Sequence, residues 1–292
     1  MTALPDAKPA GVVLPLLAAT AAMACFQGGA ALAKGLFPAV GPEGAAALRL
    51  TFGAVMLMAV ARPWRRWPTP APLLPMFGLG VSMATAILCF FQALNRLPLG
   101  VALSLQVLGP LGVAVASSRR ASDLLWVALA AVGVWSLVGV GQAEVALIDL
   151  TGVPWAMGAA VGWAGYILFG RATGQAFGTS SAAPAVAIAA VLVAPVGLAH
   201  AGWVLFDPAL IPLALALALL STALPFSLEL YAMPRLPART FATFTSLEPA
   251  FAVLSGFLLL HERLTLPQIA GVGAVIVAAS GAAWSGARGS AA

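Results

Sequence analysis

The chain has 292 residues, of which 62% are hydrophobic and only 8% are charged, and its formal net charge is +5. A typical soluble domain carries about 25% charged residues, so this composition excludes a soluble globular protein. It indicates a polytopic membrane protein, in which much of the surface faces hydrocarbon.

Apolar stretches recur along the chain between clusters of Pro, Gly and charged residues. Each is about 20 residues long, which as a helix crosses about 30 Å of hydrocarbon. They predict an all-α fold with ten transmembrane helices, although several prolines blur the limits of the eighth and ninth. The predicted spans are 12–33, 43–61, 72–94, 98–117, 122–140, 151–170, 181–200, 209–231, 239–260 and 265–285.

Lysine and arginine favour the cytoplasmic ends of membrane helices, so their positions test this division. With both termini in the cytoplasm, ten of the fourteen fall on the cytoplasmic side, three fall outside, and Arg49 lies within the second helix. The cytoplasmic ten are Lys8, Arg62, Arg65, Arg66, Arg119, Arg120, Arg171, Arg235, Arg239 and Arg288, and the outer three are Lys34, Arg96 and Arg263. The positive charge therefore predicts topology and gives no indication of nucleic-acid binding.

An internal repeat relates the two halves of the chain. Residues 96–110, RLPLGVALSLQVLGP, align without gaps on residues 235–249, RLPARTFATFTSLEP, at an offset of 235 − 96 = 139. The halves, 1–145 and 146–292, each contain five predicted helices, an odd number, so the second must enter the membrane from the opposite side. Inverted repeats of this kind place a substrate site near the midplane of many secondary transporters.

The segment SLEPAFAVLSGFLLLHERLTLPQIAGVGAVIVAASG, residues 246–281, resembles the closing part of an EamA domain of the drug/metabolite transporter superfamily. Residues 26–50 and 220–250 resemble, more narrowly, bacterial homoserine/threonine exporters and YddG-type aromatic amino-acid exporters. The resemblance covers essentially the whole chain. It implies ten helices in two inverted EamA repeats, a location in the bacterial inner membrane and outward movement of amino acids.

Polar side chains at mid-membrane depth are the candidates for substrate contact, because such groups are costly unless they face a cavity or a partner. Glu248 is the most central ionisable residue. It is interpreted either as a ligand for a substrate ammonium group or proton, or as a structural carboxyl that secures the ninth helix through Thr245, Ser246 or a freed backbone group. The sequence leaves both roles open.

Two basic residues, Lys34 and Arg49, lie toward the outer ends of the first two helices. Either could attract a substrate carboxylate, which arginine grips with two parallel hydrogen bonds. The alternatives are that Lys34 extends toward the outer lipid headgroups and that Arg49 pairs with Glu43.

Amides and aromatic rings at comparable depth predict the walls of a cavity. Trp163 and Tyr166 are three residues apart and therefore share a helix face. Such a cavity would hold amino acids of varied side chain with few committed polar contacts, whereas ordinary helix packing is the alternative for each residue. The candidates are Gln27, Phe90, Gln106, Trp163 and Tyr166.

Prolines at equivalent positions of the two repeats, Pro110 and Pro249, are predicted hinges, because a proline within a helix frees the carbonyl four residues earlier. Glu229 is placed near the cytoplasmic boundary, where Arg235 or Arg239 can pair with it.

The predicted function is secondary export of amino acids, aromatic ones or small neutral ones such as threonine and homoserine, by alternating access through a central cavity. Export of other small metabolites or drugs is the nearest alternative. An intramembrane enzyme would need a nucleophile with its base or clustered metal ligands, and the sequence contains no HExxH, GxSxG or Walker A motif. We therefore predict no catalytic residue, cofactor or metal, with amino acids and lipids as partners; proton coupling and oligomeric state stay open.

Overall fold

A computed structural model of the chain describes residues 10–66, 73–116, 123–138, 149–177, 182–232, 235–236 and 246–289. All regular secondary structure in these ranges is helical. Five helical segments within them, Val13–Arg65, Leu73–Leu94, Gly152–Gly170, Ala182–Phe206 and Pro208–Glu229, are long and apolar enough to cross a membrane, and shorter apolar helices accompany them. The prediction of an all-α polytopic membrane protein is confirmed.

The helices follow the predicted spans closely, with some spans joined and others divided. Their bounds are α1 Ala10–Ala61, α2 Leu73–Leu94, α3 Leu99–Gln106, α4 Leu108–Ala116, α5 Asp123–Val138, α6 Gly152–Phe177, α7 Ala182–Ala201, α8 Ile211–Ala218, α9 Leu224–Ala232, α10 Glu248–Leu260 and α11 Leu266–Gly289. A π-helical turn, Leu219–Ala223, joins α8 to α9, and short 3₁₀ segments lie at Pro63–Arg66, Gly202–Phe206 and Pro208–Leu210.

The first two predicted helices are continuous in α1, which bends sharply at Gly41. The backbone there has φ 69° and ψ 170°, a conformation that glycine adopts without steric cost. Pro38 and Pro42 flank the bend. Helix α1 therefore consists of a first arm, residues 10–40, and a second arm, residues 42–61.

The fourth predicted helix is interrupted at Val107, and α10, within the ninth predicted span, begins just after the equivalent position. Val107 is a turn residue between α3 and α4, and Ser246, at 107 + 139, is a turn residue before α10. Pro110 and Pro249 each follow within the first turn of the next helix, where a missing N–H removes no helical hydrogen bond. Both prolines therefore lie inside helices, as expected, but in the first turn of α4 and of α10 and not in the middle of a helix. The remainder of the ninth span, 239–245, lies outside the described residues.

The helix contacts form a pattern that recurs between the halves. Helix α5 packs on α11, α3 on α10, and the second arm of α1 on α7. Helix α2 of the first half packs on α6 and α7 of the second. In the same way, the α8–α9 segment of the second half packs on the two arms of α1 in the first. Small residues allow these approaches: Gly133 faces Gly271 between α5 and α11, and a Cβ atom on Gly133 would lie 2.9 Å from the Gly271 carbonyl oxygen.

A dense apolar layer lies around the connection from α2 to α3. Phe91, Leu94, Leu97 and Leu99 are essentially fully buried there. The ring of Phe91 lies 5.8 Å from that of Phe37, measured between centroids. The predicted topology places this layer toward the outer side of the membrane.

Candidate functional site

A cavity of about 400 Å³ lies among the helices of both halves. Its lining is mostly apolar and aromatic, with a small set of polar side chains, as is usual for small-molecule sites. Pro110 also lines it. Seven of the eight predicted substrate residues are among its lining residues: Gln27, Arg49, Phe90, Gln106, Trp163, Tyr166 and Glu248.

Arg49 is 8% exposed and comes from the second arm of α1. Its Nη2 donates to the carbonyl oxygen of Ser221 at 2.9 Å, its Nε donates to Thr222 Oγ1 at 3.5 Å, and its Cζ lies 5.5 Å from the Phe91 ring centroid. No ion pair joins Arg49 to an acidic residue in the part of the chain that the structure describes. A guanidinium has five N–H donors, so the group keeps donors for a carboxylate in the cavity.

The suggested pairing of Arg49 with Glu43 is wrong. Glu43 Oε1 instead accepts a hydrogen bond from Gln92 Nε2 and lies 3.9 Å from Nε2 of His200. Gln92 Oε1 in turn accepts from Nη1 of Arg96 at 2.7 Å. Glu43 is therefore engaged with Gln92 and lies near His200, at the end of the bundle that the topology predicts to be outer.

Lys34 is the predicted substrate residue that the structure places outside the cavity lining. Its Nζ lies 2.6 Å from Glu262 Oε1 and 3.4 Å from the Leu97 carbonyl oxygen. Glu262 Oε2 also accepts from the Leu99 backbone N–H at 2.8 Å. Lys34 thus ties the first arm of α1 to the start of α3 and to the turn between α10 and α11, and a substrate contact for it stays a prediction.

Gln27 and Gln106 bring amide groups into the site from α1 and α3. They are 3% and 7% exposed, and the Oε1 atom of each is buried with no hydrogen-bond partner among the described residues. A buried acceptor left without a donor costs about 1–3 kcal/mol. Both amides are therefore suited to accept hydrogen bonds from a ligand's ammonium or hydroxyl group.

Aromatic rings form the walls of the cavity. Trp163 and Tyr166 meet edge to face at 4.9 Å, which confirms that they share a face of α6. Phe26 and Phe226 meet in the same manner at 5.5 Å and bring together the first arm of α1 and α9. Phe90 lines the cavity and also contacts Phe91, with ring centroids 6.3 Å apart, and a substrate contact for it stays a prediction.

Two carboxyl groups, those of Glu248 and Glu229, line the cavity. Glu248 is the first residue of α10, where the partial positive charge of the helix end favours a carboxylate. Neither glutamate forms an ion pair with a basic side chain in the described ranges. Thr245, one of the predicted partners of Glu248, lies outside the described residues.

Glu229 is an ionisable cavity residue that sequence reasoning missed. Its suggested partner Arg235 instead donates from Nη1 to the Tyr231 carbonyl oxygen at 2.8 Å and lies over the Tyr231 ring at 4.1 Å; Arg239 lies outside the described residues. Glu229 is near the end of α9 in sequence, yet it faces inward on the same side as Phe226, three residues earlier. That spacing from an aromatic residue is the signal that could have identified it.

Among the described residues, no group of three or more His, Cys, Asp or Glu side chains is arranged so that it could hold a metal ion.

Known proteins resemble this chain over most of its length. The model of the EamA-like transporter family matches residues 150–284. The threonine/homoserine exporter RhtA of Escherichia coli (strain K12) is 46% identical over 270 residues, covering 92% of this chain and 91% of that protein. The protein of the same description from Salmonella typhimurium (strain LT2) is 44% identical over the same shares. A solved crystal structure of another protein shares the fold, with a TM-score of 0.58 and 22% identity, covering 97% of this chain and 100% of that one.

These relatives are bacterial exporters, and the described helices are apolar enough to span a membrane repeatedly. The chain is accordingly a multi-pass protein of the inner membrane and belongs to the EamA-like transporter family.

Proposed function

We propose that this protein is a secondary exporter of small neutral amino acids, with threonine and homoserine as its leading substrates, and that it binds them in the central cavity. The observation that carries the proposal is Arg49, a buried guanidinium that lines the cavity and forms no ion pair in the described chain. The 46% identity to a protein named as a threonine/homoserine exporter supports the choice of substrates.

Every polar group of such a substrate has a complement in the cavity lining. Arg49 binds the carboxylate through its remaining N–H donors. Gln27 and Gln106 accept from the ammonium group and from the side-chain hydroxyl that threonine and homoserine share. Glu229 and Glu248 supply the negative charge that balances the ammonium group.

The range of substrates follows from the size and chemistry of the walls. A volume of about 400 Å³ lies within the usual range for small-molecule sites. Trp163, Tyr166 and Phe90 offer apolar surface without further directional contacts. We therefore propose that larger neutral side chains, aromatic ones included, are also accepted, with lower affinity than threonine.

We further propose ten transmembrane helices in two inverted repeats, 1–145 and 146–292, with both termini cytoplasmic and alternating access to the cavity. The recurrence of helix contacts between the halves supports the repeat. The helix break at Val107 and the turn at Ser246 that precedes α10 support hinges beside Pro110 and Pro249. In this arrangement the two halves pivot about the cavity that both of them line.

Transport into liposomes by the purified protein tests the function. We expect uptake of labelled threonine that homoserine inhibits strongly, larger neutral amino acids weakly, and acidic or basic ones hardly at all. The same series with and without a pH gradient decides whether protons are coupled to transport. Liposomes without protein are the control. If no amino acid is moved or competes, the proposal is wrong.

A further inference from the structure

The π-helical turn Leu219–Ala223 lies directly against Arg49. In it the Leu224 N–H bonds to the Leu219 carbonyl five residues earlier, so the helix is locally wider than a regular α-helix. Turns of this kind are rare and occur frequently at functional sites. Ser221 and Thr222, whose oxygens accept hydrogen bonds from Arg49, both belong to this turn.

Pro225 explains why the Ser221 carbonyl is available to Arg49. In a regular α-helix that carbonyl would accept a hydrogen bond from the N–H of residue 225, and proline has none. The Ser221 oxygen instead accepts from Arg49 Nη2 at 2.9 Å. Pro225 therefore affects the position of the Arg49 guanidinium indirectly, because it leaves the Ser221 carbonyl free to accept from it.

Two glycines bring both arms of α1 close to the turn. A Cβ atom on Gly29 would lie 2.6 Å from Ser221 Cβ, and one on Gly53 would lie 2.9 Å from Thr222 Cγ2. Real Cβ atoms do not approach so closely, so only glycine permits this spacing. Arg49, one turn from Gly53, is thereby held within hydrogen-bonding distance of the turn.

The contact that the repeat relates to this one, between α2 and α7, lacks these features. At the offset of 139, Ser82 corresponds to Ser221, Ala86 to Pro225 and Ile188 to Arg49. Helix α2 runs as a continuous α-helix through Ser82 and Ala86. Ile188 there packs against Gly80, an apolar contact in place of the guanidinium. The arginine, the proline and the π-helical turn thus occur together at the contact between α1 and the α8–α9 segment, and the related contact between α2 and α7 has none of them.

We propose that Pro225 and the turn Leu219–Ala223 are a positioning element that aims the Arg49 guanidinium at the substrate carboxylate. This proposal rests on the proposed function, since it assigns the carboxylate to Arg49. Pro225, Ser221 and Thr222 are positioning residues in it, because they act on the substrate through Arg49.

The test is Pro225→Ala, which restores an N–H able to bond the Ser221 carbonyl within the helix. The readout is the ratio of inhibition constants of threonine and threoninol, an analogue without the carboxylate, against labelled threonine in liposomes. We expect the wild-type protein to bind threonine more tightly than threoninol. In Pro225→Ala the preference for threonine, expressed as this ratio of inhibition constants, should be about tenfold smaller. Its midpoint of thermal unfolding should be unchanged or higher, because the helix gains a hydrogen bond.

Pro195→Ala in α7, at an exposed proline away from the cavity, is the matched control and should retain the wild-type ratio.

Thr222→Val is a second variant, which removes the Oγ1 acceptor at nearly constant volume and should also reduce the preference for threonine. Thr222→Ser keeps the hydroxyl and should retain the wild-type ratio. An unchanged ratio in both Pro225→Ala and Thr222→Val would overturn the positioning role. So would an equal loss for both ligands together with a lower unfolding midpoint, which indicates only structural damage. Arg49→Gln separates the two proposals: if it too keeps the wild-type ratio, the assignment of the carboxylate to Arg49 is itself wrong.

Discussion

At the scale of single residues, the cavity joins one buried guanidinium to two carboxyl groups that lack basic partners in the described chain. An amino acid bound as a zwitterion completes this set, because its carboxylate meets Arg49 and its ammonium group meets Glu229 and Glu248. Unpaired charges inside a membrane protein are costly. Their retention in a cavity is best explained by a ligand of complementary charge.

Glu248 provides the first test at this scale. We expect Glu248→Gln to weaken threonine binding by about tenfold, because the ammonium group exchanges a charge-assisted hydrogen bond for a neutral one. Competition by unlabelled threonine in liposomes measures this. Asp149→Asn, at an exposed site, is the control and should leave the affinity for threonine unchanged. Unaltered affinity and an unaltered pH profile for Glu248→Gln would leave Glu248 a structural carboxyl at the start of α10.

At the scale of helices, the ion pair between Lys34 and Glu262 joins three elements near the predicted outer side. Both side chains are largely shielded, 29% and 14% exposed. Removing one partner leaves the other charge shielded and unpaired, whereas removing both does not.

A double-mutant cycle measures this ion pair. We expect Lys34→Met and Glu262→Gln each to lower the free energy of unfolding, and the double variant to lose less than the sum, with a coupling of about 0.5–3 kcal/mol. Thermal or denaturant unfolding in detergent gives the values. Strictly additive losses would show that the contact contributes nothing to holding these elements together.

Sequence reasoning succeeded where one physical rule dominated and failed where the backbone departs from regular helix. Gln27, Arg49, Gln106 and Glu248 were predictable, because polar groups at mid-membrane depth must face a cavity or a partner. The bend at Gly41, which fuses two spans into α1, depends on local backbone geometry that hydropathy does not report. Glu229 was missed although the limits of the eighth span were predicted well, because hydropathy does not report which side of a helix faces a cavity, and the π-helical turn alters which residues face inward.

At the scale of the whole molecule, the proposal of alternating access predicts that one cavity residue can be reached from both sides of the membrane. In a background with Cys25 and Cys89 replaced by serine, Ala279→Cys in the cavity lining should react with an impermeant thiol reagent from either side. Threonine should slow both reactions. Leu258→Cys, on an exposed apolar face of α10, should react from neither side. Reactivity of Ala279→Cys from one side only, with transport intact, would argue against alternating access.

Equilibrium binding of labelled threonine to the purified protein tests the central claim, that the amino acid is held in this cavity by Arg49. We predict saturable binding that Arg49→Gln weakens at least about thirtyfold, while Arg65→Gln, at an exposed site beyond α1, leaves it unchanged. Wild-type affinity in Arg49→Gln, with the protein folded, would contradict the account.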